Sequence, residues 1–190
     1  MAWTEKYRPK KFSEIRGQGS AVEKVEDFIR NFKFSKKALI LYGPPGTGKT
    51  TIAHVTANET GSEIFELNAS DLRDATRLQE VLKPAIEQKS LLKKWKIILI
   101  DEVDGISSLD RGGLSELLSL IEKTQYPIII TANDIWDKKF YQLRAKSALV
   151  QLKEIEYGTI KEILIGILRK ERKFIDGNIL TNISLKARGD

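Results

Sequence analysis

Apolar side chains recur along this chain in two different rhythms. After Ser20, the residues Val22, Val25, Ile29 and Phe32 return at helical spacing, which predicts an amphipathic helix over residues 20–31. By contrast, ALILY at 38–42, IILI at 97–100 and III at 128–130 are short unbroken apolar runs. Runs of that kind mark strands covered on both faces. Ile64, Phe65 and Leu67 predict a further short strand, and residues 148–152 a fifth. Helical spacing returns between them: at Ile52, Ala53 and Val55 in a helix that ends before Gly61, at Leu78, Val81, Leu82 and Ile86 with Pro84 placed to disturb the helix, and at Leu114, Leu117, Leu118 and Ile121. Strand and helix alternate, so the expected class is α/β, with a five-stranded parallel sheet between helices.

The rhythm then changes. Ile160, Ile163, Leu164 and Ile167 share a helical face, and residues 178–186 begin another helix. We therefore expect an α/β domain over 1–152 and the beginning of a small, incomplete helical lid over 153–190. No internal repeat or low-complexity tract interrupts the chain.

Composition narrows the chemistry. The 190 residues include no cysteine and one histidine, His54, so a thiolate or histidine metal site is not expected and any metal should be hard and oxygen-bound. No run approaches the roughly 18 apolar residues of a membrane span, and MAWTEKYRPKKF at the start has no apolar segment of a signal peptide. The expected location is the cytoplasm, with no membrane partner. The net charge of +6 suits either an anionic partner or plain solubility. Basic residues crowd the start (Lys6, Arg8, Lys10, Lys11, Arg16), the approach to the first strand (Lys36, Lys37) and residues 89–96.

The most specific local signal is GPPGTGKT, residues 43–50, between a predicted strand and a predicted helix. Gly43, Gly46 and Gly48 allow backbone N–H groups to turn inward around phosphate oxygens, with Pro44, Pro45 and Thr47 completing the loop. Lys49 can reach the terminal phosphates and Thr50 can offer its hydroxyl to Mg²⁺, while Thr51 continues into a helix whose positive end faces the same point. Asp101 and Glu102 end the most apolar strand, at the carboxyl edge of a parallel sheet where ligands bind. Asp101 suits the metal's water shell, and Glu102 suits a water-directing base. This pair favours a hydrolase over a phosphotransferase. Asn133, just beyond the next strand, is either a turn residue or a group that holds the attacking water or a phosphate oxygen.

Longer motifs carry a resemblance. WTEKYRPKKFSEIRGQ at 3–18, GPPGTGKT, NASDLR at 68–73, IDEVDGI at 100–106, DRGG at 110–113 and TANDIW at 131–136 together resemble the large subunits of archaeal replication factor C, sliding-clamp loaders of the AAA+ ATPases. Val103 and DRGG point to the large subunit, because small subunits usually have Ala in the third place of the acidic motif. The resemblance implies that Tyr7, Arg8, Pro9, Ile15, Gly17 and Gln18 border the adenine of ATP. It also implies that Asn133 is sensor 1, that Glu102 is the general base with Lys49 beside it, and that Asp101 and Thr50 serve Mg²⁺. Implied partners are the small subunits, the sliding clamp (PCNA) and primer-template DNA, with Arg73 and Arg77 as DNA-phosphate contacts.

There are two departures from the pattern. Small subunits carry Ser-Arg-Cys where this chain has Ala145, Lys146 and Ser147, so a lysine stands at the place of the arginine finger. This implies a subunit that receives a finger and gives none. The last residues, 186–190, resemble the segment just before sensor 2, as expected of a fragment or of one half of a split large subunit whose C-terminal part is separate. Residues 88–95 resemble a clamp-binding peptide imperfectly, and a helix end packing Leu91, Leu92 and Trp95 is the alternative. Trp3 and Trp136 are expected to pack in the core or at an interface, and His54 to be an ordinary helix residue. Three functions remain distinct at this point: a clamp-loader ATPase, an ATP-dependent assembly module with negligible turnover of its own, and another AAA+ DNA remodeller.

Overall fold

A computed structural model of the chain describes residues 2–68, 95–106 and 111–187. The predicted helix around Leu78, the DNA-contact candidates Arg73 and Arg77, and all of the clamp-peptide candidate except Trp95 lie outside the described residues.

Five strands form one parallel sheet: β1 (Ala38–Tyr42), β2 (Glu63–Asn68), β3 (Lys96–Asp101), β4 (Ile128–Ala132) and β5 (Ser147–Gln151). Their order across the sheet is β2-β3-β4-β1-β5. The unbroken apolar runs are explained by cover on both faces. On one face Ile40, Ile98, Ile100 and Ile130 pack with Leu117, Leu120 and Ile121 of α4 (Arg111–Lys123) and with Leu143 of α5 (Tyr141–Lys146). On the other, Leu39, Leu41, Leu99 and Ile129 pack with Val25 and Phe28 of α2 (Gly19–Arg30) and with Ile52 and Ala53 of α3 (Lys49–Glu59).

Two boundaries differ slightly from the sequence pattern. The strand β5 begins at Ser147 because its register is set by backbone pairing, Ala38 opposite Ser147, and not by side-chain polarity. Leu152 falls one residue past the strand, although its N–H still donates to the Tyr42 carbonyl at 2.8 Å. On α2 the buried stripe runs through Phe28, and Ile29 sits on its flank.

Before the sheet, a strap carries α1 (Trp3–Lys6) and a 3-10 turn at Phe12–Glu14. After it come α6 (Tyr157–Lys170) and α7 (Gly177–Ala187). Of the two expectations for the tryptophans, core or interface, the core is excluded: Trp3 is 38% exposed and Trp136 60%, the latter with its ring edge-on to Tyr42 and beneath the Arg144 guanidinium. Among the described residues no helix is long and apolar enough to cross a membrane.

Candidate nucleotide site

The three adjacent strands β3, β4 and β1 end side by side, and each delivers one part of the site. Beyond β1 the loop 43–48 passes into α3 through glycines with positive φ: 149° at Gly43, 71° at Gly46 and 91° at Gly48. Gly43 has a second reason to be glycine. A Cβ there would stand 2.3 Å from the carbonyl oxygen of Leu152. The Thr47 hydroxyl donates to the Pro44 carbonyl at 2.9 Å and fixes the loop from within.

Lys49, only 9% exposed, donates from Nζ to the carbonyls of Gly43 and Pro44 and to Asn133 Oδ1, each at 2.8 Å. An ammonium can only donate, so it is the amide oxygen of Asn133 that faces it. Thr50 Oγ1 donates to Asp101 Oδ1 at 2.9 Å, which joins the first turn of α3 to the end of β3. Glu102 follows in the left-handed region, φ 57° and ψ 44°. A non-glycine residue is held there only at a cost of about 1–3 kcal/mol. Its exposed side chain lines, with Pro45, Gly46, Lys49, Thr50, Thr51 and Asn133, a cavity of about 360 Å³.

Thr131 was not singled out by the sequence reading. It is 1% exposed, it donates to Asp101 Oδ1 at 2.5 Å, and it accepts the Glu102 N–H at 2.9 Å. Its position inside an apolar strand, two residues before Asn133, was the available signal.

A second cavity, of about 670 Å³, shares Gly48 and Thr51 with the first. Tyr7, Arg8, Pro9 and Ile15 of the strap line it, together with Thr47. The sequence reading missed its far wall, which is made by Ile155 and by Ile163, Gly166 and Ile167 of α6. The helical periodicity of Ile163 and Ile167 was legible, but it reads equally well as lid core.

Gly17 and Gln18 line neither of these two cavities and stand behind the larger one. Gln18 is 5% exposed and donates from Nε2 to the carbonyls of Thr47 (3.3 Å) and Lys153 (2.7 Å). It therefore joins the phosphate-type loop to the start of the helical segment. Gly17, at φ 75°, packs beneath Ile155 and Thr159, where a Cβ would stand 3.4 Å from Ile155.

The strap is also held to α6 from outside. Lys6 Nζ and Tyr7 Oη both donate to Glu171 Oε1 at 2.6 Å. These bonds hold the Glu171 carboxyl below its ordinary range and raise both Lys6 and Tyr7 above theirs. Within the strap, the Lys10 backbone N–H, helped by that of Lys11, likewise lowers Glu14.

The region from β1 to β5 matches a known family. A model of the ATPase family associated with various cellular activities (AAA) covers residues 39–150. The chain belongs to this family. The matched AAA region includes Lys49, Asp101, Glu102, Thr131 and Asn133, whereas the strap and α6 lie outside it. Over nearly its whole length the chain is also 43% identical to a replication factor C large subunit of Nanoarchaeum equitans and 45% identical to one of Thermofilum pendens. The alignments cover 97% and 100% of this chain but 44% and 47% of those relatives, so it spans less than half their length. The resemblance seen in the motifs is thus matched across strap, sheet and following helices. An AAA-type fold is likewise seen in the Thermotoga maritima RuvB Holliday junction branch migration motor, with a TM-score of 0.73, 23% identity, and coverage of 96% of this chain and 61% of that one.

Proposed function

We propose that this chain is the ATP-binding and ATP-hydrolysing part of a clamp-loader large subunit, which acts with small subunits to place a sliding clamp (PCNA) on primer-template DNA. The observation that carries the reading is the convergence of Lys49, Thr50, Asp101, Glu102 and Asn133 at the carboxyl ends of β1, β3 and β4, in a chain whose relatives are replication factor C large subunits. The triphosphate belongs in the smaller cavity, on the loop N–H groups and the positive end of α3. The adenine belongs in the larger one, between strap and α6.

The donor set fits Mg²⁺. Thr50 and Asp101 offer hard oxygens 2.9 Å apart, and a magnesium site of this type needs only one or two protein ligands. When bound, the ion neutralises phosphate charge. Lys49 holds a terminal phosphate oxygen, and Asn133, already bonded to Lys49, fixes the direction of that ammonium. Glu102 stands at the rim of the cavity with its carboxylate free of the sheet, orients a water and takes its proton.

The site is finished by a neighbour. Lys146, at the place of the finger, is ion-paired with Glu122 of its own chain and holds that carboxyl below its ordinary range. A side chain committed in this way is poorly placed to serve another subunit. The remaining part of the large subunit, as a continuation or as a separate polypeptide, is a further partner, and Arg73 and Arg77 are the proposed contacts to DNA phosphates.

The test is ATP turnover by the reconstituted complex carrying Glu102→Gln in this chain only. Loss of most turnover with ATP binding retained is expected. Unchanged turnover would make the chain an assembly module that binds ATP without hydrolysing it.

A further inference from the structure

Thr131 borders the smaller cavity as an uncharged residue, and its hydroxyl touches both acidic residues of the site. The ladder between β3 and β4 runs from Ile98 opposite Ile128 to Ile100 opposite Ile130 and then stops. At the next step the backbones part. The Thr131 side chain takes over, accepting the N–H of Glu102 at 2.9 Å. An N–H can only donate, so the threonine oxygen is the acceptor there and its own proton is committed to Asp101 Oδ1, 2.5 Å away. The hydroxyl direction is therefore determined by its partners. Asp101 Oδ1 also accepts from Thr50, so one carboxylate oxygen lies between the hydroxyls of α3 and β4.

The backbone at Glu102 gives this arrangement its consequence. The left-handed turn there lifts the glutamate out of the strand and sets its side chain at the cavity. The N–H freed by the turn lies against an almost fully buried residue. The hydroxyl satisfies it, as a valine at the same place could not.

We propose that Thr131 is a positioning residue for the hydrolytic reaction: through one hydroxyl it holds Glu102 in its left-handed conformation and fixes the rotamer of Asp101. This rests on the ATPase reading above. The methyl group of Thr131 fills space in the strand. The hydroxyl alone carries the function.

The experiment compares Thr131→Val, Thr131→Ser and Glu102→Gln in the reconstituted complex, and the first two also in the chain without metal or nucleotide. With Val, kcat should fall roughly 10- to 100-fold, the range typical when a group that orients a metal-binding residue is lost. The Mg²⁺ concentration for half-maximal turnover should rise, while metal-free binding of a fluorescent ATP analogue stays within about twofold. Ser should restore kcat and the Mg²⁺ midpoint. Independently of turnover, hydrogen exchange in the metal-free chain should show the Glu102 amide protected with Thr or Ser and unprotected with Val.

Wild-type kcat and Glu102 protection in the Val variant would overturn the proposal, and so would equal losses in Val and Ser, which would assign the effect to packing. Should Val prevent folding, Thr131→Ala carries the same readouts. If Glu102→Gln leaves turnover unchanged, the hydrolytic reading itself falls, and the proposal with it. If Glu102→Gln abolishes turnover and Val does not change it, only the role of Thr131 is lost.

Discussion

The two halves of the proposed nucleotide site are built by different physics. At the proposed phosphate end the groups stand at the ends of three neighbouring strands and on the first turn of α3, Lys49 and Thr131 among them buried, and they bond to one another through Lys49–Asn133 and Thr50–Asp101–Thr131. At the proposed base end the walls come from the strap and α6, far apart in sequence, and are held by one buried amide, Gln18, and by bonds to Glu171 from the exposed Lys6 and the half-buried Tyr7. The first half is fixed by the sheet itself. The second exists only while two peripheral segments stay docked. Recognition of phosphate should therefore outlast recognition of the base as the protein is stressed.

That contrast can be broken at three points of decreasing severity. Gly43→Ala should have the largest effect, because the new Cβ meets backbone at 2.3 Å and the φ of 149° disfavours any side chain. We expect a loss on the order of 3 kcal/mol, read from urea or thermal unfolding. A loss below about 0.5 kcal/mol would show that the loop and Leu152 can part easily.

Gln18→Leu should come next. It leaves the carbonyls of Thr47 and Lys153 without their amide partner in a buried place and should cost about 1–3 kcal/mol. It should weaken binding of adenine nucleotides more than binding of inorganic triphosphate. Equal weakening of both would mean that Gln18 acts on the loop alone.

Glu171→Gln should be the mildest, as exposed ion pairs contribute little and are screened by salt. Because the folded protein holds Glu171 below the ordinary value of a glutamate, its contribution is present above that ordinary value and fades as the pH falls through the lowered folded one. Lys6 has the opposite sign. Its raised value keeps its contribution below pH 10.5, and that contribution is lost as the pH rises through the folded one. Melting curves of wild type and variant should therefore converge in acid and differ most near neutrality. A constant difference down to pH 3 would remove the ion pair as its cause.

The phosphate half was largely legible in the sequence, for the same reason that it is robust. Gly43 to Thr50, Asp101, Glu102 and Asn133 lie next to apolar runs that announce their strands, so each motif could be placed on a sheet edge before any coordinates were known. The base half was legible only in part. The resemblance pointed to Tyr7, Arg8, Pro9 and Ile15, which do line the cavity, but also to Gly17 and Gln18, which act from behind it. Ile163 and Ile167 were hidden because helical spacing reports that a face is covered and not what covers it, and Ile155, ahead of the helix, belongs to no periodic pattern. Thr131 was hidden because a threonine within β-branched neighbours is an ordinary strand residue until its hydroxyl partners are known.

The contact between Gly43 and Leu152 places the first residue of the phosphate loop directly against the root of the helical segment. Seen mechanically, that root is a fulcrum, and α6 with its 14 residues is an arm of about 21 Å. One degree of rotation at Leu152 moves the far end of the arm by about 0.4 Å on that length. Tyr7 and Glu171 clasp the arm near its tip. A shift too small to disturb the loop's own hydrogen bonds would thus be magnified where strap and helix meet.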